Sequence, residues 1–223
     1  MQTDDFSLRY FWLLLLLCFG TNILSAQTET PAPTLAFGGY LEPYYSYDFN
    51  NPKADGNRPG FFYSYNRHNE FNVNLGFVKA NYAAQRVRAN AAIAAGTYMN
   101  ANYAAEPGVL KNILEMNAGL CLSKNRDLWV DAGIFASHIG FESAIGKDCR
   151  NLTRGINGVI IATGTPNGFG VLGLSLNFDY AVLPNAMWRI EGRFLNCRDD
   201  IFLKNNELVS TNAFVTTSLA VSF

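Results

Sequence analysis

Apolar residues recur at every second position in eight separate stretches of this chain. That periodicity limits the fold more than any other feature, because only extended strands place alternate residues on one face. The first stretch puts Leu35, Phe37, Leu41, Tyr45, Tyr47 and Phe49 on one parity and Glu42, Ser46 and Asp48 on the other. The second opposes Phe71, Val73, Leu75 and Phe77 to Asn72, Asn74 and Gly76, and the third opposes Val87, Ala89, Ala91 and Ile93 to Arg88 and Asn90. In the fourth, Leu110, Leu114, Met116, Ala118, Leu120 and Leu122 face away from Glu115, Asn117 and Ser123. Leu128, Val130, Ala132 and Ile134 oppose Asp131 and Ser137 in the fifth, and Leu172, Leu174, Leu176, Phe178 and Tyr180 oppose Ser175, Asn177 and Asp179 in the sixth. The seventh sets Trp188, Ile190 and Phe194 against Arg189, Glu191 and Arg193, and the eighth ends the chain on Val215, Leu219, Val221 and Phe223.

Such alternation has two physical readings. In water it gives strands with the apolar side inward, as in a sandwich or a small ligand-binding barrel. In an outer membrane it is inverted, with apolar side chains towards lipid and polar ones towards the lumen. Connection lengths favour the membrane. Ala83–Gln85, Ser123–Arg126 and Leu183–Asn185 are tight turns, whereas the other connections run to roughly 10 to 30 residues, the short-inside, long-outside pattern of such barrels. The stretches also exceed the usual soluble strand and match the length of a tilted membrane strand. Tyr44, Tyr45, Tyr47, Phe61, Phe62, Tyr63, Tyr65, Tyr98 and Tyr103 fall near strand ends on the long-loop side, where an aromatic girdle is expected.

Composition agrees with a membrane barrel. Only 16% of the 223 residues are charged, below the share of about a quarter in soluble domains, and 17 basic against 18 acidic groups argue against a nucleic-acid partner. Residues 10–20, YFWLLLLLCFG, are too short an apolar run to cross a bilayer as a helix. Followed by Leu24-Ser25-Ala26, they read as a secretory signal peptide over 1–26, which leaves a neutral exported domain over 27–223. No later stretch is apolar enough for a spanning helix. The closing set Val215, Leu219, Val221 and Phe223, an amphipathic strand ending on an aromatic, resembles the signal by which barrel assembly machinery selects outer-membrane chains.

Long strings carry a more specific resemblance. GYLEPYYSYDFNNP (39–52), YNRHNEFNVNLGFVKANY (65–82), RVRANAAIAAGTYMNANYAAEPGVLKNILEMNAG (86–119) and LWVDAGIFASHIGFESAIGKDC (128–149) resemble the OmpL-like β-barrel porins. So do NGVIIATGTPNGFG (157–170), SLNFDY (175–180), WRIEGR (188–193) and FVTTSLAVSF (214–223). The resemblance implies an outer-membrane porin of undefined substrate. Members of that family are longer, with further strands between the parts matching KDCRNLTR (147–154) and NGVIIATG (157–164). These pieces abut at Arg154-Gly155-Ile156-Asn157, so the chain reads as a family member with an internal deletion. Closure would then make segments five and six neighbours.

The expected fold is an all-β, antiparallel, up-and-down transmembrane barrel of about eight strands with both termini periplasmic. An eight-stranded barrel has an interior that its own side chains fill, whereas water channels need more strands. The candidate lumen set is Glu42, Arg88, Glu115, Asp131, Asp179, Arg189, Glu191 and Arg193. In a narrow barrel these pair and plug the interior; in a wide one they line water and tune selectivity. Two functions follow: passive diffusion of small hydrophilic solutes, or a closed structural or adhesive barrel, including an internally truncated porin without transport. Expected partners are outer-membrane lipid, barrel assembly machinery and the solutes themselves.

An enzyme is not expected. His68 and His138 are the only histidines, and no serine motif accompanies them. GTPNGFG (164–170) lacks the Lys and Ser or Thr of a phosphate loop, and no cofactor or metal-ligand spacing is visible. The exported domain has three cysteines, Cys121, Cys149 and Cys197, of which the last two could form a disulfide. Residues 104–115 could form a short helix, although the alternation from Leu110 claims the second half.

Overall fold

The computed structural model describes residues 32–52, 58, 61–136, 143–149, 151–153, 170–205 and 207–223. The proposed signal peptide, His138, the Arg154–Asn157 junction and most of GTPNGFG lie outside the described residues. The eight long strands are β1 (Thr34–Asp48), β2 (Phe71–Ala83), β3 (Val87–Ala95), β4 (Ile113–Ser123), β5 (Leu128–Ile134), β6 (Val171–Leu183), β7 (Ala186–Cys197) and β10 (Thr211–Ser222). A small hairpin of β8 (Phe202–Lys204) and β9 (Glu207–Val209) sits in the connection between β7 and β10, and one short helix, α1 (Thr97–Asn102), lies between β3 and β4. Residues 108–112 form a 3-10 turn, so the fourth strand starts at Ile113 and not at Leu110, and the helix precedes the stretch 104–115. Pro107 and Gly108, which has φ +55°, break the extended run there.

The long strands form one antiparallel sheet in the order β5-β4-β3-β2-β1-β10-β7-β6. The first and last strands pair from Tyr40↔Ser222 to Asp48↔Phe214, and Gly39 and Phe223 exchange backbone hydrogen bonds of 2.7 and 3.0 Å. The tight turns and both ends of the sheet's chain lie at one end, and the strands joined by the long connections meet those connections at the other. Among the described residues, no pairing joins β5 to β6, so the sheet is open at these two edges and the expected neighbouring of segments five and six is not formed. Part of the connection between them, residues 143–149 and 151–153, instead packs against the sheet's buried face.

Burial settles which way the alternation points. Phe37, Phe71, Leu172, Leu174 and Leu176 are more than 60% exposed, while Glu42, Asp48, Arg189 and Glu191 are fully buried. A water-soluble sandwich has the opposite arrangement, because burying charge and exposing aliphatic surface both cost free energy in water.

Two irregularities move residues off the face that strict alternation assigns. Glu42 pairs with Leu75 and Pro43 with Val73, so Asn74 is skipped in the register. Pro43 has no N–H to give the ladder, which makes this a tolerated place for a bulge. Beyond it Leu75 and Phe77 turn inward and Val78 turns outward, splitting the apolar set of the second segment. On β4 the register shifts opposite Ala92/Ile93 and skips Leu114, which becomes buried while Met116, Leu120 and Leu122 stay exposed. Leu75 and Leu114 join Tyr40, Ala92, Ala94, Met99 and Ala220 in an apolar cluster on the buried face.

The aromatics assigned to a girdle divide. Tyr47 is exposed and Tyr45 half-buried, on the outward parity, but Tyr44, Phe62 and Tyr65 are buried, and Tyr98 and Tyr103 pack on the inner cluster. Tyr44 lies on the inward parity of β1, and the others belong to connections that fold back over the sheet, where ring burial outweighs an interfacial position. Phe62 packs edge-on against Phe214 at a centroid distance of 5.5 Å, in a second cluster with Leu195, Cys197 and Phe202. Among the described residues no disulfide joins Cys121, Cys149 and Cys197, so the candidate bridge between the last two is not formed.

Candidate functional site: a charged inner face

The inner face of β1, β10, β7 and β6 carries a connected polar network, buried on the first three strands. Glu42, projecting inward from β1, accepts hydrogen bonds from Tyr65 Oη at 2.7 Å, Asn74 Nδ2 at 2.9 Å and Ser218 Oγ at 3.4 Å. The bulge at Asn74 aims its amide at this carboxylate. Arg189, on β7, donates from Nε and Nη2 to the two oxygens of Asp179 at 2.8 and 2.9 Å, the forked geometry that a guanidinium and a carboxylate share. Its remaining donors reach Gly146 O at 2.6 Å and Cys149 O at 3.0 Å, so one side chain holds both a neighbouring strand and the 143–149 segment.

Glu191 continues the ladder two residues along β7. It accepts from Thr153 N at 2.6 Å and Thr153 Oγ1 at 2.9 Å, while Arg193 Nη1 donates to Thr153 Oγ1 at 3.1 Å and its Nε lies 3.5 Å from Glu191. Leu152, fully buried, packs with Tyr44 and Tyr65. Lys147 Nζ donates to Ser222 Oγ at 3.1 Å, near the sheet end that carries the tight turns. Residues 143–149 and 151–153 therefore lie along the buried face, with Lys147 beside Ser222 and Thr153 beside Glu191. Their fit is close: a Cβ on Gly146 would collide with Tyr65 Oη and the Glu42 carboxylate.

The other candidate residues stand apart. Glu115 pairs with Lys79 at 2.6 Å, and Arg88 Nε donates to Asp131 at 2.7 Å with its guanidinium 4.4 Å from the Trp129 ring centroid. Thus Glu42, Asp179, Arg189, Glu191 and Arg193 converge on one network, whereas Arg88, Asp131 and Glu115 form pairs on β2 to β5.

A third cluster lies in and beside the β1–β2 connection. Asp48 binds Arg58 Nε at 3.2 Å and accepts from Asn212 Nδ2 at 2.8 and 3.0 Å. Arg58 lies between the rings of Phe62 and Phe214, 3.9 and 3.6 Å from their centroids. Burial pushes its pKa down to about 10, against the pull of Asp48, and leaves it charged at neutral pH. His68 accepts the Asp48 backbone N–H on Nδ1 at 2.9 Å, and burial lowers its pKa. That is a histidine holding a loop, with its acceptor nitrogen already used.

Asn74, Lys79, Arg58, Tyr65 and Thr153 were not among the candidates from the sequence. Lys79 gains its inward parity only through the bulge, which Pro43 could have signalled. Arg58, Tyr65 and Thr153 lie in connections, where no periodicity marks the inward side. Among the described residues, no three His, Cys, Asp or Glu side chains converge as metal ligands.

The family described as Putative beta-barrel porin-2, OmpL-like, matches residues 34–157 and 156–223. The two matched pieces meet where the sequence places its internal junction. No curated protein and no solved structure matches the chain. With a match across residues 34–223, the chain belongs to the OmpL-like beta-barrel porin-2 family.

Proposed function

We propose that this chain is an outer-membrane porin-type barrel whose charged inner face lines a narrow path for passive diffusion of small hydrophilic solutes. The single observation carrying this reading is the inversion of burial, with exposed Phe37, Leu172 and Leu176 on one face and buried Glu42, Arg189 and Glu191 on the other. Lipid can cover the first face and water the second. In this reading Glu42, Arg88, Glu115, Asp131, Asp179, Arg189, Glu191 and Arg193 line the lumen, residues 1–26 direct export, and both termini lie in the periplasm. The strand ending on Phe223 engages the assembly machinery. The activity is transport and not catalysis. Because open backbone edges are not tolerated in hydrocarbon, β5 and β6 must gain partners in the bilayer.

A second reading, a closed barrel without transport, is favoured by one feature: residues 143–149 and 151–153 occupy the inner face and are tied to Arg189 and Glu191. Planar-bilayer recordings of protein refolded in detergent separate the two. Reproducible single-channel steps are expected for the porin; a heat-modifiable, folded protein that never conducts would establish the closed form.

A further inference from the structure

At the end of the sheet that carries the long connections, a cavity of about 330 Å³ opens between the β1–β2 connection, β2 and α1. The described residues that line it are Asn66, Arg67, Asn72, Gly96, Thr97 and Asn100, none of which has an apolar side chain. Most small-molecule sites are largely apolar with a few polar groups. A wall of amides, a hydroxyl and a guanidinium instead suits a ligand that is itself covered in hydrogen-bonding groups.

Charge narrows the class further. Arg67 donates to Glu70 from Nε at 2.7 Å and from Nη2 at 3.3 Å, and Asn72 Nδ2 donates to the same carboxylate at 2.8 Å. The Arg67 hydrogen bond holds the Glu70 carboxyl below its usual range. The guanidinium is therefore already neutralised, and an anionic ligand would have to displace a carboxylate. Hydrogen-bonding capacity remains elsewhere in the wall. Asn66 Oδ1 is buried with no hydrogen-bond partner, and Thr97 Oγ1 has only a long 3.4 Å bond to Tyr44 Oη. The Asn100 side chain is exposed.

The walls are also fixed in advance. Asn102 Nδ2 donates to Tyr63 O at 3.0 Å, tying α1 to the β1–β2 connection, and the Arg67 N–H donates to Tyr44 Oη at 3.1 Å. Gly96 has φ +131°, and a Cβ there would strike the Asn74 backbone, so the chain can pass this close only with glycine.

We propose that this cavity binds a neutral polyhydroxylated solute, of the size of a monosaccharide or a small polyol, at the mouth of the path. Its place in transport rests on the porin reading; binding itself does not. The test is saturation-transfer NMR on the full chain refolded in a detergent without a sugar headgroup, with D-glucose, sorbitol and D-glucuronate as probes. Saturable transfer to glucose and sorbitol is expected, with glucuronate weaker. Asn66→Leu and Asn100→Ala should each weaken glucose binding roughly fivefold, the usual effect of one lost neutral hydrogen bond, while the protein stays heat-modifiable. Asn100→Ala, at an exposed position, guards against a folding failure at Asn66. No transfer to either neutral probe from folded protein, unchanged binding in both variants, or a preference for glucuronate would each overturn the assignment. Salt conductance without glucose binding removes this site and leaves the pore; glucose binding without conductance supports the site and removes the pore.

Discussion

Replacing Arg189 with methionine should release residues 143–149 and 151–153 from the inner face. The side chain is fully buried and makes two kinds of bond: a fork to Asp179, and single bonds to the carbonyls of Gly146 and Cys149. The Asp179 carboxylate is 39% exposed, so it can rehydrate when orphaned, and its loss contributes little to the balance. The two carbonyl bonds come from a charged donor and are worth roughly 1.5–3 kcal/mol each, about 3–6 kcal/mol before the carbonyls find water. Taking about 3 kcal/mol as the net loss, the ratio of released to docked segment rises roughly a hundredfold, since about 1.4 kcal/mol is a factor of ten. Lys147 lies inside the segment, so tryptic cleavage after it reports release. Cleavage at Lys147 should accelerate by about two orders of magnitude, and single-channel conductance should rise in the same variant. Arg189→Lys keeps the charge, cannot fork, and should fall between the two. A folded Arg189→Met protein with wild-type cleavage and wild-type conductance would show that the segment is held by other contacts and does not limit the path.

Four further outcomes follow from the same structure. Leu176 is 80% exposed at the middle of β6, so Leu176→Arg should cost roughly 2–4 kcal/mol in lipid, read as the urea midpoint of bilayer-folded protein; a change within about 0.5 kcal/mol would mean the face meets water. Arg58→Met breaks an ion pair whose side chains are both fully buried, and should cost about 3–5 kcal/mol in the same assay; a loss under about 1 kcal/mol would show that Asp48 is served well enough by Asn212. The pKa of His68 is lowered on folding, so its contribution to stability is complete above its ordinary value of 6.5 and falls as pH drops below it, when the unfolded chain takes up the proton first. Urea midpoints that stay flat from pH 7.5 to 5, or that fall equally in His68→Asn, would refute that role. Phe223→Ala should lower the amount of chain recovered in outer membranes while refolding in detergent proceeds as in wild type, because alanine keeps the backbone hydrogen bonds of residue 223 to Gly39; equal recovery would sink the assembly role.

The strands were legible in the sequence because a sheet between lipid and a polar interior must alternate at every step, and a one-residue slip would place charge in lipid. What alternation could not reveal was where its own phase changes. Leu75 and Leu114 have the side chains of lipid-facing residues, and only a skipped partner, Asn74 in one case and Leu114 itself in the other, turns them inward. The first change was foreshadowed by Pro43; the second had no local mark. The candidate site was half legible for the same reason. Glu42, Arg189, Glu191 and Arg193 occupy strand positions whose parity fixes their side, but the groups that complete their hydrogen bonds, Tyr65, Gly146, Cys149 and Thr153, come from connections whose direction depends on contacts more than twenty positions away in the chain. That division has a functional consequence. The charges of an inner face are set by strand sequence, while whether they face water or another part of the chain is set by a connection. In this protein Arg189, Glu191 and Arg193 on β7 link the two, so under the porin reading a movement of residues 143–149 and 151–153 would change permeability without any change in the sheet.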